Sequence, residues 1–196
     1  MTVNRLESEF RFNSGRLSLD LAATIRRRAS APKDVLSGVG ACGRWLKAAG
    51  LFAQAPALSP QNERDLYALR EAVWGAVSGS MHNALSDDAV SIVNRAAKFP
   101  LATPQLNARD GSVSVVSEDP FATALSLIAR DAIDLVSGPL RHRVKACDQP
   151  DCRMLFVDTS PTGQRRWCSM QRCGSRAKVQ AFKNRREQAA NLQEAG

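Results

Sequence analysis

The sequence predicts a mainly α-helical protein with small β-hairpins. A helical N-terminal domain over residues 1–139 precedes a C-terminal zinc-binding β-hairpin–helix module over residues 140–196. Three observations predict this. Apolar residues recur at helical spacing through most of the first part. Two C-x4-C pairs stand close together at Cys147, Cys152, Cys168 and Cys173. The formal charge of +8 is lopsided: residues 141–196 hold 12 Lys+Arg against 5 Asp+Glu, whereas residues 1–140 hold 15 against 14.

Composition narrows the class. Apolar residues make up 44% and charged residues 23%, which is ordinary globular usage and excludes collagen-like or wholly disordered chains. No apolar run approaches the ~18 residues of a membrane-spanning helix. MTVNRLESEF lacks an apolar signal stretch, so a cytoplasmic location is expected.

The elements follow in order. Phe10–Phe12 reads as a short strand before the Ser14-Gly15 turn. Leu17–Arg28 reads as a helix with Leu17, Leu21, Thr24 and Ile25 on one face. Its three terminal arginines suit the negative end of the helix dipole. Val39–Ala49 is a second short helix, stopped by Gly50. Ser59-Pro60 starts a third with a capping serine and a first-turn proline; it carries Leu66, Leu69, Val73, Trp74 and Val77 to about Asn83. Ser86 caps a fourth, with Val90, Val93 and Ala97 inward. Leu106 to Val116 alternates around Asp110-Gly111, a hairpin signal. Asp119-Pro120 opens a long helix that Ser137-Gly138-Pro139 ends. Trp45, Trp74 and Cys42 read as core residues.

No catalytic motif stands out: no Walker loop, no G-x-S-x-G, no H-E-x-x-H, and only His82 and His142 as histidines. A non-enzymatic role is expected. Asp20 follows Arg16 by four positions, the spacing of an intrahelical pair. The sharper alternative is a polar small-molecule pocket of Arg16, Asp20 and Thr24 on one helix face.

Four thiolates in two close pairs suit one structural, tetrahedral Zn²⁺. With no secretory signal, a disulfide framework is the weaker explanation. The stretch between the pairs, RMLFVDTSPTGQRRW, reads as a hairpin with the cysteine pairs at its two ends. The helix formers of RAKVQAFKNRREQAANLQ follow, with Ser169 as a candidate cap. Arg172, Arg176, Lys183 and Arg186 share one face of that helix, and Lys178 and Arg185 lie nearly opposite. With Arg165 and Arg166 at the hairpin exit, these eight side chains are the candidate nucleic-acid contacts. The plainer alternative is a solvated helix or one docked on a partner protein.

The segment CDQPDCRMLFVDTSPTGQRRWCSMQRCGSRAKVQAF resembles the CGNR zinc finger, with Cys173-Gly174-Ser175-Arg176 in place of Cys-Gly-Asn-Arg. FRFNSGRLSLDLAATIRRR is similar to the opening of the ABATE domain, which usually precedes that finger. Gly15, Arg16, Leu17, Leu19, Asp20 and Thr24 match its pattern, while Leu21 replaces an aromatic and Ala23 an asparagine. The resemblance implies a bacterial, stress-responsive transcription regulator with a treble-clef-like zinc module.

From this follow a double-stranded DNA partner, contact regulation of transcription, and a helical domain that senses a small-molecule effector or mediates assembly. A single finger rarely supplies enough contacts for tight specific binding, so a homodimer is expected. The rival classes are an RNA- or protein-interaction module and an unrecognised enzyme with a structural finger.

Overall fold

The computed structural model describes residues 9–194. Its helices are α1 (Leu17–Ala22), α2 (Ala41–Ala48), α3 (Pro60–Met81), α4 (Asp87–Ala97), α5 (Pro120–Ser137) and α6 (Ser175–Glu194). Three antiparallel hairpins join them: β1 (Ile25–Arg26) with β2 (Lys33–Asp34), β3 (Thr103–Leu106) with β4 (Val113–Val116), and β5 (Val144–Ala146) with β6 (Leu155–Val157). The mainly helical class with small hairpins is therefore what the chain adopts.

Helices α3, α4 and α5 pack on one another, and α1 lies across α3 and α5. Their shared core holds Leu19, Leu21, Trp45, Leu46, Leu66, Leu69, Val73, Val77, Ile128 and Leu135, all but excluded from solvent. Local chemistry sets the helix starts. Ser59 Oγ accepts from Asn62 N at 3.1 Å. The Asp119 carboxylate accepts from Phe121 N and Ala122 N, both at 3.0 Å. Both caps precede a proline that needs no hydrogen-bond partner at the first helical position. In α4 the inward residues are Ala89, Val93 and Ala96, one step round from the expected Val90 and Ala97. Ser86 precedes α4 without a side-chain cap bond.

The N-terminal segment differs from expectation. Phe10–Phe12 is not a strand; Phe10 enters the core and the Phe12 ring stacks on Trp45 at 6.1 Å. Helix α1 ends at Ala22, six residues before Arg28. Ile25-Arg26 instead pairs with Lys33-Asp34, and Val35 N donates to Thr24 O at 3.0 Å. β-branched Thr24 and Ile25 suit this turn to extended backbone. The three arginines consequently scatter. Arg28 pairs with Glu71 at 2.7 Å and covers Trp74; Arg27 faces Asp151 at 3.6 Å; Arg26 donates to Glu9 O. Behind the hairpin, buried Arg70 pairs with Asp34 at 2.8 Å and Glu71 at 2.9 Å.

Arg16, Asp20 and Thr24 do not form one site. Arg16 forks onto Asp131 (2.7 Å) and Asp134 (2.6 Å) of α5 rather than pairing with Asp20. Asp20 accepts from Ser14 N at 3.1 Å and Ser14 Oγ at 2.5 Å. Thr24 Oγ1 donates to Leu21 O and accepts from Arg70. The expected intrahelical pair is absent because α1 begins at Leu17, leaving Arg16 in extended backbone at its N-cap.

The Asp20–Ser14 contact reaches the C-terminal module. Ser14 O accepts from Val157 N of β6 at 2.7 Å. Beside it Gly15 has φ +88, and a Cβ there would sit 3.4 Å from Val157 Cβ. Strand β6 is buried on both faces: Leu155 and Val157 join the helical core, while Phe156 joins a second cluster with the four finger cysteines. That split follows from the two-residue side-chain period of a strand.

Burial raises the Asp20 carboxyl to about 6 from 3.8, against the lowering effect of its Ser14 hydrogen bonds. The folded state therefore holds this proton more tightly than the unfolded chain. The associated stability is full below about pH 4 and is lost as pH rises through about 6. Asp20→Asn keeps an acceptor for Ser14 and removes the titration. Relative to the native protein, the variant should gain about 3 kcal/mol in unfolding free energy between pH 3.5 and pH 7. Denaturant melts across that range check it.

Candidate metal centre and nucleic-acid interface

The cysteines are brought together by two knuckles. Cys147 follows β5, and its N–H donates to Met154 O at 2.9 Å across the hairpin. Cys152 lies in the turn, closed by its N–H to Gln149 O at 2.9 Å, and Arg153 takes φ +50 to leave it. Cys168 precedes a π-helical turn, Met170–Gly174, that carries Cys173, and Cys173 N and Gly174 N both donate to Ser169 O at 3.0 Å. Asp148 N to Arg166 O at 2.9 Å ties one knuckle to the other. The hairpin thus differs from the expected one. Its strands precede and follow the first cysteine pair, so that C-x4-C is the hairpin turn itself.

All four sulfurs are buried and lie within 4.8 Å of one another. Cys152–Cys168 is 3.7 Å and Cys168–Cys173 is 3.6 Å. Thiolates ~2.3 Å from a tetrahedral zinc stand ~3.8 Å apart, so the cage has the right size. None of the cysteines is in a disulfide. Hydrogen bonds from Cys152 and Cys168 hold the Cys147 thiol far below its usual range. The same contacts push Cys152 and Cys168 up. Four thiols this close cannot all ionise alone, and a divalent cation removes the conflict. The set therefore holds one structural Zn²⁺, with every position filled by protein.

The surrounding charges orient the cage. Arg176 Nη2 donates to Cys173 Sγ at 3.4 Å and its Nη1 pairs with Asp151 at 2.7 Å. Ser175 Oγ donates to Met170 O at 3.2 Å, closing the turn without touching the metal cage. Buried Asp158 accepts from Lys145 Nζ (2.8 Å), Ser160 Oγ (2.6 Å), Ser160 N (3.0 Å) and Arg165 N (2.8 Å). Lys145 first, then Ser160, hold its carboxyl well below the ordinary range. The sequence reading missed Asp158 and Lys145. The one available signal was Asp158 two residues before Ser160, the spacing of an Asx turn.

The eight candidate nucleic-acid contacts separate into groups. Arg165 turns inward, over the Phe156 ring at 4.6 Å and onto the carbonyls of Trp167 and Cys168. Arg176 is occupied as described. Arg166 is exposed, over Trp167, with Asp148 at 2.7 Å. Arg172 lies in a cleft beside the helical domain. Lys178, Lys183, Arg185 and Arg186 are exposed on α6 and have no acidic partner among the described residues. From Lys178 to Gln188 every residue of α6 is exposed, including Val179 and Phe182 at 55% each. The helix projects from the finger, resting on the π-helical turn at its base.

Among the described residues no helix is long and apolar enough to cross a membrane. Residues 15–139 match the ABATE family, described as "Putative stress-induced transcription regulator", and residues 143–186 match the CGNR zinc finger. The chain belongs to the ABATE family and carries a CGNR zinc finger behind that domain. No curated protein matches it.

Metal analysis should return one zinc per chain, and Cys168→Ser should lose it together with the fold of the finger. Arg176→Ala should retain the cage but weaken it by about tenfold in chelator competition, the usual effect of removing a group that orients a ligand.

Proposed function

We propose that this protein is a transcription regulator that reads double-stranded DNA with its finger as a homodimer and performs no catalysis. The observation that carries this is α6: a projecting helix, rooted on the zinc cage, with four cations left to solvent. A helix this rich in charged and polar residues gains little from packing, and its cations suit a phosphate backbone. The family description supports the regulatory role. Lys178, Lys183, Arg185 and Arg186 serve as contacts, with Arg166 at the rim. In the bacterial setting that the family resemblance implies, a role on DNA would be a cytoplasmic one.

Selection from random duplexes should enrich one sequence; flat enrichment overturns the regulator. Affinity should fall steeply with salt, and Lys183→Gln should reduce the log–log slope by about 1 if it meets one phosphate. Preferred binding of single-stranded RNA at equal salt would favour the RNA-module alternative.

Assembly has a surface. The β3–β4 hairpin is exposed throughout, with Leu106 at 75% and Val115 at 70%. Pro104 blocks pairing along β3, but β4, Val-Ser-Val-Val, has an open edge without charge. A second copy pairing along β4 gives a closed two-fold dimer that presents two fingers. Sedimentation should show a dimer that Val115→Lys converts to monomer. A monomeric native protein, with and without DNA, overturns the dimer.

A further inference from the structure

A cleft of about 1180 Å³ separates the β1–β2 hairpin from the zinc knuckle and the base of α6. Six cationic side chains line it against one carboxylate, Asp151. Asp151 is already taken by Arg176 and Arg27. A zinc–tetrathiolate beside the cleft carries −2, which with Asp151 answers half of that positive charge. The rest is concentrated. Arg11, Lys33 and Arg172 have no hydrogen-bond or ion-pair partner among the described residues. Arg26 donates through Nη2 to Glu9 O, but its Nε is buried and unpartnered. Burial lowers the pKa of both Arg11 and Arg26, and mutual repulsion adds to it: Arg172 acts on Arg11, and Arg11 and Arg172 act on Arg26. Such a cluster is costly without an anion between its members.

Guanidinium groups offer planar forks that match phosphate oxygens. Apolar Ile25 and Val179 share the walls. The volume exceeds the ~300–1,000 Å³ of most small-ligand clefts, so a small ligand would fill only part of it. The cations assigned above to DNA, Lys178, Lys183, Arg185 and Arg186, do not line it. We propose that this cleft binds a small organic phosphate, with its phosphate groups among Arg11, Arg26 and Arg172 and its apolar part against Ile25 and Val179. A ligand there touches the helical domain and the base of α6 together, so it is placed to act as an effector, a role that rests on the regulator reading above.

The test uses the zinc-loaded full chain in calorimetry at fixed ionic strength, with pyrophosphate and adenosine diphosphate as probes. Saturable one-to-one binding is expected. Arg172→Gln and Arg11→Gln should each weaken it by about tenfold, as loss of a charged hydrogen bond does. Lys183→Gln should leave it within about twofold. Arg172 is exposed and unpartnered, so its variant should keep one zinc and an unchanged melting temperature. Absence of saturable binding to either probe, or equal binding by Arg172→Gln, overturns the proposal. So does a cleft that serves only DNA: Arg172→Gln weakening duplex binding as much as Lys183→Gln while neither probe binds. Probe binding without any duplex binding overturns the regulator instead and leaves the site standing.

Discussion

Strand β6 must satisfy two interiors at once, and much of the structure depends on that. Leu155 and Val157 complete the helical core, and Phe156 between them closes the cysteine cluster. A shift of one residue would send Phe156 into the helices and Leu155 and Val157 toward the cysteines. The register is pinned from outside the hairpin by Ser14 O, which takes the Val157 N–H at 2.7 Å. Ser14 is in turn held by Asp20, and the next residue, Arg16, is clamped to α5. The run from Ser14 to Asp20 is therefore a brace between helical bundle and finger.

The finger's charges divide by depth. Arg165, Lys145 and Arg176 spend their charge inside, on carbonyls, Asp158, Asp151 and a cysteine sulfur. Arg11, Arg26 and Arg172 meet in the cleft. The outermost cations ride on α6. Of the +7 carried by residues 141–196, a share is thus structural, and net charge alone overstates the surface open to a polyanion.

The parts legible in the sequence are those specified locally. Ser59-Pro60 and Asp119-Pro120 are caps that act within four residues, and both helices begin there. Asp110-Gly111 turns its hairpin because Gly111 supplies φ +69. Four cysteines in two pairs announce the cage. What was not legible depends on distant partners. Leu17–Arg28 has a helical apolar pattern, yet residues 33–34 pair with its second half, and Arg70, bound to Asp34, secures that pairing from elsewhere in the chain. Arg16 and Asp20 have helix-pair spacing, but Asp131 and Ser14 offer each a nearer partner. The first C-x4-C reads in sequence as the end of a hairpin and is in fact its turn, because Val144–Ala146 lacks any strand signal of its own.

Helix α6 has a neighbour at one end only. Its backbone order must propagate outward from the π-helical turn, since nucleation elsewhere along a polar helix is unfavourable. Under the proposed regulator reading, a duplex would be the surface that stabilises the exposed turns. Association would carry an ordering entropy for those turns and a negative heat-capacity change in proportion to what Phe182 buries. The metal fixes the root from which the order of the helix propagates.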